Sequence, residues 1–393
     1  MNETIYMPVG EVCSSISDTY REKKNMVTLI NTSDVLEGRV LNHERVPNSN
    51  LKGQFKKTFQ RDDILYSEIR PQNRRFAYVD FSPIDYIAST KLMVIRAKKD
   101  VVSPKYLYYF LKNSSTVAEL QLLAETRSGT FPQITFSEVA NLTIPVPPLA
   151  VQEVIVQTMQ CLEDKITCNE QINDNLEQQA QSYFQELFVD NANPEWTTGT
   201  ISDLGAVVGG STPSKAKPEY YTESGIAWIT PKDLSINKSK FVSHGENDIT
   251  ELGLKNSSAA IMPEGTVLFS SRAPIGYIAI AAGEVTTNQG FKSVVPKPEI
   301  GTPFVYFFLK NTLPVIEGMA SGSTFKEVSG STMKNVPAVI PDAETLAKFS
   351  DFCAPIFAQQ RILEEQNQSL ATLRDNLLPK LMSGEIDVSA VQL

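Results

Sequence analysis

The sequence has few of the residues that build metal sites, disulfide scaffolds and histidine-dependent active sites. Its 393 residues include four cysteines, without any Cys-x-x-Cys spacing, and two histidines, His43 and His244. The cysteine pattern excludes a disulfide scaffold and a zinc ribbon. The two histidines leave little material for a histidine metal site or a Ser-His-Asp triad.

Long hydrophobic runs and targeting signals are also missing. No apolar run approaches the roughly 18 residues that a membrane-spanning helix needs. A secretory signal has a basic segment followed by an apolar stretch, and the N-terminal Met-Asn-Glu-Thr does not begin such a pattern. Because these signals are missing, we expect a cytoplasmic protein. The length of 393 residues predicts two or three domains, and 41% hydrophobic residues are enough to form their cores.

Signatures of the common catalytic sites are absent too. The glycines at 209–210 precede Lys215, but a phosphate-binding loop requires a Gly-Lys dipeptide, which the sequence lacks. The single Asn-Pro, at 193–194, is followed by Glu195 rather than by the proline and aromatic residue of an amino-group methyltransferase. The sequence therefore predicts no catalytic residue.

The two halves of the chain repeat one another. Five short matches occur in the same order, at a period of about 195 residues. The matched segments are 29–35 with 228–234, 64–71 with 267–274, 106–113 with 304–311, 128–131 with 321–325 and 141–145 with 335–339. The segments between the matches differ, as they would in two copies that share a frame and differ in specificity.

Each copy is expected to contain a mixed domain of short strands and helices, followed by one long helix. The predicted boundaries are 1–148 for the first domain, 149–190 for the first helix, 191–341 for the second domain and 342–393 for the second helix with its tail. The first helix begins after the prolines that end at Pro148, since proline is tolerated only at a helix entry. Pro355 predicts a kink or a break in the second helix.

Both long helices carry a seam of mostly apolar residues at alternating spacings of four and three, which is typical of a coiled coil. In the first helix the seam residues are Ile155, Met159, Leu162, Ile166, Asn169, Asn173, Leu176, Ala180, Tyr183 and Leu187. In the second they are Phe349, Cys353, Ile356, Gln360, Leu363, Asn367, Leu370, Arg374, Leu377 and Leu381. The shared phase predicts that the helices pair. In an antiparallel pair related by a pseudo-twofold axis, Asn173 and Asn367 would lie near the axis or at symmetric distances from it. The alternative is a bent amphipathic helix on each domain.

Charge is segregated along the chain, although the net charge is -9. Residues 52–112 contain 13 Lys and Arg against 6 Asp and Glu, whereas residues 150–190 contain one lysine and eight acidic residues. Because charges are screened within about 8 Å at physiological salt, DNA binding depends on local rather than net charge.

Candidate DNA-binding residues follow from these basic and polar clusters. Arg, Gln and Asn can make paired hydrogen bonds to base edges, and Lys mainly contacts phosphate. The candidates in the first domain are Lys56, Lys57, Arg61, Arg70, Gln72, Asn73, Arg74, Arg75 and Lys91. Those in the second are Thr212, Lys215, Lys217, Lys232, Arg272, Asn288 and Gln289. Any one of them alone is more typical of a solvated loop.

Two variable segments, each followed by a long helix with a matched seam, resemble the DNA-specificity subunit of type I restriction–modification systems. In the second copy Gly-Ser-Thr-Pro-Ser-Lys at 210–215, Trp-Ile-Thr-Pro-Lys-Asp at 228–233, Arg-Ala-Pro-Ile-Gly at 272–276 and Thr-Asn-Gln-Gly at 287–290 are similar to recurring stretches of that family. The first copy departs from them, because Arg70-Pro71 lacks the following glycine and no Thr-Asn-Gln-Gly occurs.

The resemblance implies an α+β chain of two tandem target-recognition domains, separated by two long antiparallel coiled-coil helices. Each domain would read one half of a split, asymmetric site in double-stranded DNA. The helices would dock two methyltransferase subunits and, where the system has them, two restriction subunits, in a bacterial or archaeal cytoplasm.

Cofactors would belong to those partners. S-adenosylmethionine would bind the methyltransferase, and ATP and Mg²⁺ the restriction subunit, so that this chain would be non-catalytic and hold no cofactor or metal. Two other functions stay open from the sequence: a coiled-coil adaptor without DNA binding, and a restriction enzyme with an unrecognised active site.

Overall fold

The computed structural model describes residues 4–22, 24–49, 53–127, 131–322 and 326–388. The chain divides into two compact units, residues 1–166 with 369–393 (unit 1) and residues 167–368 (unit 2). The matched segments 128–131 and 321–325 lie mostly outside the described residues.

Unit 1 begins with short strands and a single-turn helix and ends its mixed segment with three helices and a strand. Its elements are β1 (Ile5–Pro8), α1 (Val9–Val12), β2 (Cys13–Ile16), β3 (Met26–Ile30), β4 (Val35–Leu36), β5 (Arg39–Val40), β6 (Arg45–Pro47), β7 (Phe55–Lys57), β8 (Ile64–Ser67), β9 (Phe76–Tyr78), β10 (Tyr86–Ser89), β11 (Leu92–Ala97), α2 (Pro104–Lys112), α3 (Ser114–Arg127), α4 (Phe136–Asn141) and β12 (Thr143–Val146). The long helix α5 (Leu149–Gln185) follows, and a π-helical turn, Glu186–Asp190, continues it.

Unit 2 has a similar order of elements, with two additional short helices among its strands and one longer helix where unit 1 has α2 and α3. Its elements are β13 (Thr197–Thr200), α6 (Ile201–Leu204), β14 (Gly205–Gly209), β15 (Tyr221–Thr222), β16 (Ile226–Ile229), α7 (Pro231–Ile236), β17 (Phe241–Val242), β18 (Asn247–Ile249), α8 (Glu251–Lys255), β19 (Val267–Ser271), β20 (Ile275–Ala281), β21 (Thr286–Thr287), β22 (Lys292–Pro296), α9 (Thr302–Gly318), α10 (Gly330–Lys334) and β23 (Pro337–Ile340). The second long helix is α11 (Ala343–Ser383).

The sheets confirm the internal repeat at the level of strand order. Unit 1 has a sheet β2-β11-β8-β9, and unit 2 has β14-β22-β19-β20 with β17 added at its edge. A second sheet in each unit contains one parallel pair, β3 with β10 and β16 with β21. A two-stranded antiparallel ribbon joins the beginning and end of each domain, β1 with β12 and β13 with β23.

The central sheets are buried on both faces, which explains their nearly continuous apolar strands. In β8, Ile64 and Tyr66 enter one core cluster and Leu65 enters another, because successive side chains point to opposite faces. In β19, Val267 and Phe269 likewise alternate with Leu268. The sequence prediction of mixed domains built from short strands and helices is confirmed.

The long helices follow the predicted seam, since all twenty seam residues are buried or half-buried. Within unit 2 the helices run antiparallel. Ascending positions on α5, Asn169 and Tyr183, contact descending positions on α11, Asn367 and Phe352. Helix pairing is therefore confirmed. The break considered at Pro355 does not occur, because α11 is continuous through it.

Each unit also packs both long helices into its own core. In unit 1, Met159 of α5 and Leu381 of α11 join the cluster that contains Tyr106. In unit 2, Phe184 of α5 and Phe349 of α11 join the cluster that contains Phe304. The division into two compact units therefore cuts through both long helices. The four domain and helix boundaries proposed from the sequence remain predictions.

Candidate nucleic-acid interface

A strained basic turn follows β8 in unit 1. Residues Pro71–Asn73 form a 3-10 turn, and the arginines on either side, Arg70 and Arg74, have left-handed φ values of 45° and 51°. This conformation costs roughly 1–2 kcal/mol for a residue other than glycine, and such strain is concentrated at functional sites. The Arg70 guanidinium lies 5.7 Å from the centre of the Phe131 ring.

The other polar candidates around this turn have defined partners. Arg74 Nη2 donates to Ser114 Oγ at 2.8 Å, and Arg75 Nη1 donates to the Ser33 carbonyl at 3.0 Å. Gln72 and Asn73 are exposed at the tip. The turn therefore presents Arg70, Gln72 and Asn73 outward while it holds the guanidinium groups of the other two arginines against the domain.

Lys91 lies beside this turn, between two polar groups. Its Nζ is 3.3 Å from Glu68 Oε2 and 3.3 Å from Gln133 Oε1. Gln133 was not among the sequence candidates. Lys91 and the turn that carries Arg70 are thus neighbours in the structure.

The remaining three candidates of the first domain are placed differently. Lys57 points inward and donates to the carbonyls of Thr90 and Leu92 at 3.1 and 2.8 Å; burial lowers its pKa, and Glu68 offsets part of that shift. Lys56, its neighbour on β7, is exposed. Arg61 precedes β8, at the opposite end of that strand from Arg70.

In unit 2, two loops cross at a contact that only glycine permits. A Cβ at Gly210 would lie 2.0 Å from the Asn288 carbonyl oxygen. Ser211 N–H donates to the Thr287 carbonyl at 2.9 Å, and the Thr212 hydroxyl donates to Gln289 Oε1. The structure thus brings together Thr212, Asn288 and Gln289, three candidates that come from separate motifs.

Arg272 and Lys292 converge on one carboxylate beside this contact. Arg272 Nη1 is 3.5 Å and Lys292 Nζ is 3.9 Å from the carboxylate of Glu327. Burial lowers the pKa of Lys292, and Glu327 partly offsets the shift. Sequence reasoning missed Lys292 and Glu327, although Lys292 follows the Thr-Asn-Gln-Gly motif after a single phenylalanine.

The three other lysine candidates of unit 2 are exposed, two of them in the loop after Gly210 and Lys232 on α7. Lys217 and Lys232 pair with Glu219 and Glu246 at 3.6 and 2.6 Å. The contact with Glu246 raises the pKa of Lys232. Lys215 is exposed in the loop that begins at Gly210.

Backbone hydrogen bonds show that the two clusters are equivalent. In unit 1, Glu68 N–H donates to the Lys91 carbonyl at 3.0 Å and Ile134 N–H donates to the Glu68 carbonyl at 2.9 Å. In unit 2, Ser271 N–H donates to Gly290 at 2.7 Å and Val328 N–H donates to Ser271 at 3.0 Å. We call these two sets of hydrogen-bonded segments the strand crossings. The strand crossing of unit 1 consists of residues 68–70, 91 and 133–134. The strand crossing of unit 2 consists of residues 271–273, 290–292 and 327–328.

The strand crossings show which residues of the first copy stand in place of the second copy's motifs. Lys91 stands where unit 2 has Gly290, the last residue of Thr-Asn-Gln-Gly. Arg70 stands where unit 2 has Ala273, and both residues have positive φ, 45° and 51°. The backbone is therefore repeated while the side chains differ.

A second polar cluster, which the sequence did not reveal, fastens the start of β17 to both helices. Glu177 of α5 accepts from Lys240 at 2.7 Å and from Lys310, and Glu364 of α11 accepts the backbone N–H groups of Lys240 and Phe241 at 2.8 and 3.0 Å. Lys240 Nζ also lies 3.5 Å from the centre of the Phe357 ring.

Burial and charge shift the pKa values in this cluster in opposite directions. Burial lowers the pKa of Lys240 to about 8, although Glu177 opposes the shift. Burial alone would raise the pKa of Glu177, but Lys240 and Lys310 hold it below its ordinary value. In unit 1, Glu163 of α5 similarly pairs with Lys112 and accepts from the Tyr109 hydroxyl. Both contacts tie a domain to the long helix by a half-buried carboxylate.

No group of three or more metal-ligating side chains occurs among the residues that the structure describes. In the same part of the chain, no helix is long and apolar enough to span a membrane.

Comparison with known proteins agrees with the repeated architecture. The family model described as the type I restriction modification DNA specificity domain matches twice, at residues 6–178 and 193–373. The chain therefore belongs to the type I restriction–modification DNA specificity family.

Individual relatives carry the same designation. The chain is 29% identical to the specificity subunit of the type I restriction enzyme HindI from Haemophilus influenzae, with 92% of this chain and 94% of that protein aligned. It is 39% identical to the MjaIX specificity subunit from Methanocaldococcus jannaschii over 47% of this chain and 45% of that protein. Its fold is similar to the crystal structure of a type I restriction–modification S subunit from M. genitalium, with a TM-score of 0.55, 17% identity and coverage of 97% and 96%.

Proposed function

We propose that this chain is the DNA-specificity subunit of a type I restriction–modification complex and that each repeat reads one half of a split, asymmetric target. The observation that carries the proposal is the pair of strand crossings. They share a backbone but present Arg70, Lys91 and Gln133 in one unit and Arg272, Lys292 and Glu327 in the other. Equivalent frames with different polar side chains are suited to reading two different sequences.

The distribution of charge supports the same role. Phosphate attracts the exposed cations near the strand crossings, and the polar side chains among them can reach base edges. The first long helix is acidic, with eight acidic residues and one lysine between 150 and 190. Its outer face repels phosphate and is available to protein partners.

Those partners are proposed to be two methyltransferase subunits, one for each repeat, with two restriction subunits added where the system has them. S-adenosylmethionine would bind in the methyltransferase, and ATP and Mg²⁺ in the restriction subunit. This chain would then contribute recognition and assembly, and no catalytic group.

Duplex binding by the purified chain with its methyltransferase subunits tests the proposal. A specificity subunit gives sequence-selective binding whose affinity falls steeply with salt, because bound phosphates release counterions. A coiled-coil adaptor would give no selective duplex binding. Methylation by this chain alone, in the presence of S-adenosylmethionine, would show that it is itself an enzyme.

A further inference from the structure

Residues 133 and 327 occupy the same place in the two repeats. Each directly precedes the residue, Ile134 or Val328, whose N–H closes the strand crossing of its unit. The backbone positions are thus matched by hydrogen bonding. The side chains are not matched, because unit 1 has an amide at this place and unit 2 has a carboxylate.

Both side chains contact cationic side chains. Gln133 Oε1 is 3.3 Å from Lys91 Nζ. The Glu327 carboxylate is 3.5 Å from Arg272 Nη1 and 3.9 Å from Lys292 Nζ. A carboxylate on a phosphate-binding surface repels DNA unless it has a specific donor to meet, and the two cations offset that repulsion.

The ion pair of Glu327 differs from a structural ion pair of the same protein. Asp63 and Arg96 form two short bonds of 2.7 and 2.8 Å, and the Asp63 side chain is 1% exposed. The contacts of Glu327 are longer, and its side chain is 40% exposed. Its carboxylate oxygens are therefore placed to accept further hydrogen bonds from outside.

Resting on the DNA-reading function proposed above, we propose that position 133/327 selects one base in each half-site: Gln133 reads adenine and Glu327 reads cytosine. The glutamine amide matches the adenine edge, since it accepts from N6 and donates to N7. A carboxylate only accepts, so it meets the N4 amino group of cytosine and is repelled by the acceptors of guanine and thymine.

The test is the methylation motif of the complex assembled with its methyltransferase subunits, measured on a library of duplexes. Glu327→Gln shifts the preference at one base pair of one half-site from cytosine towards adenine, by about tenfold or more, and leaves the other half-site unchanged. Gln133→Glu produces the reciprocal change, adenine towards cytosine, in the other half-site. The matched control is Glu264→Gln, which removes a carboxylate paired with Arg361 at 2.6 Å and leaves the motif unchanged.

Two results would overturn the inference: an unchanged motif in both variants, or methylation that falls evenly on all sequences. Thermal unfolding of each variant shows whether it is folded. If Glu327→Gln fails to fold, Gln133→Glu in the other unit decides the question. A wild-type complex without sequence preference would instead refute the proposed function, so the two failures are distinguishable.

Discussion

Asn169 Nδ2 donates a hydrogen bond of 2.8 Å to Asn367 Oδ1 across the helix pair of unit 2. Asn367 is the repeat equivalent of Asn173, yet it pairs with Asn169. The expected place of Asn173 and Asn367 near a pseudo-twofold axis stays a prediction. Within the described residues, Oδ1 of Asn169 and of Asn173 are buried without a hydrogen-bond partner.

Replacing Asn367 by leucine is expected to destabilise the protein by about 1–3 kcal/mol, because the buried Asn169 amide then loses its acceptor. Replacing both Asn169 and Asn367 by leucine is expected to recover most of that loss, since no donor is left unpaired. Denaturant unfolding of the two single variants and the double variant gives the coupling. The control is leucine at Asn175, an exposed position on the same helix. Additive losses at 169 and 367 would contradict the pairing.

The buried Lys240 is expected to anchor the start of β17 strongly to the long helices. Lys240→Met removes one partner of a buried ion pair, which costs about 3 kcal/mol at the lower end of the usual range because Lys310 still pairs with Glu177. The control is Lys238→Met, at an exposed lysine two residues earlier. Equal stabilities of the two variants in thermal unfolding would show that the Lys240 cluster is not an anchor.

The same variant gives a pH test with a fixed sign. The pKa of Lys240 is lowered to about 8 in the folded protein, from 10.5. Between these values the unfolded state binds more protons than the folded state, so this lysine makes stability rise with pH. The stability difference between wild type and Lys240→Met should therefore grow from pH 8 to pH 10.5. A constant or shrinking difference would contradict burial of the charged ammonium.

Arg70 and Arg61 lie at opposite ends of β8 and provide a matched pair for DNA binding. Arg70→Gln should weaken duplex binding and reduce the slope of log affinity against log salt by about one if the guanidinium contacts phosphate. If Arg70 reads a base, discrimination at one base pair falls instead. Arg61→Gln should have the smaller effect. The reverse order would place the DNA at the other end of the strand.

The helix pair should provide two equivalent docking surfaces, one for each repeat. Native mass spectrometry of purified subunits, mixed with the methyltransferase in excess, should then give two methyltransferase copies for each copy of this chain. A saturated one-to-one complex would mean that the repeats do not share the docking function.

The parts of this structure that were predictable from sequence are those with local signals. The seam from Ile155 to Leu187 has a 3.5-residue period that a single stretch of chain reveals. The local signal of Pro355 was misleading, because α11 continues through it without a break. The strand crossings were not predictable in the first copy. There, Lys91 takes the place of Gly290 outside the matched segments, and only backbone hydrogen bonds, which carry no side-chain signature, define this equivalence.

The contacts that tie the domains to the helices were missed for a different reason. Glu177 and Lys240 are 63 residues apart, and neither belongs to a recognisable motif. In the sequence, Glu177 is one of several acidic residues on a long helix and Lys240 is one lysine of a loop. Their pairing depends on the tertiary fold, which buries Lys240 and half-buries Glu177.

Methylation mapping of host DNA, with and without this chain, tests the central claim most directly. The chain should be required for one motif with two different short defined segments, separated by unspecified bases, because the two strand crossings present different side chains on one repeated backbone. A palindromic motif, a continuous one, or a methylation pattern that is unchanged when the chain is removed would contradict it.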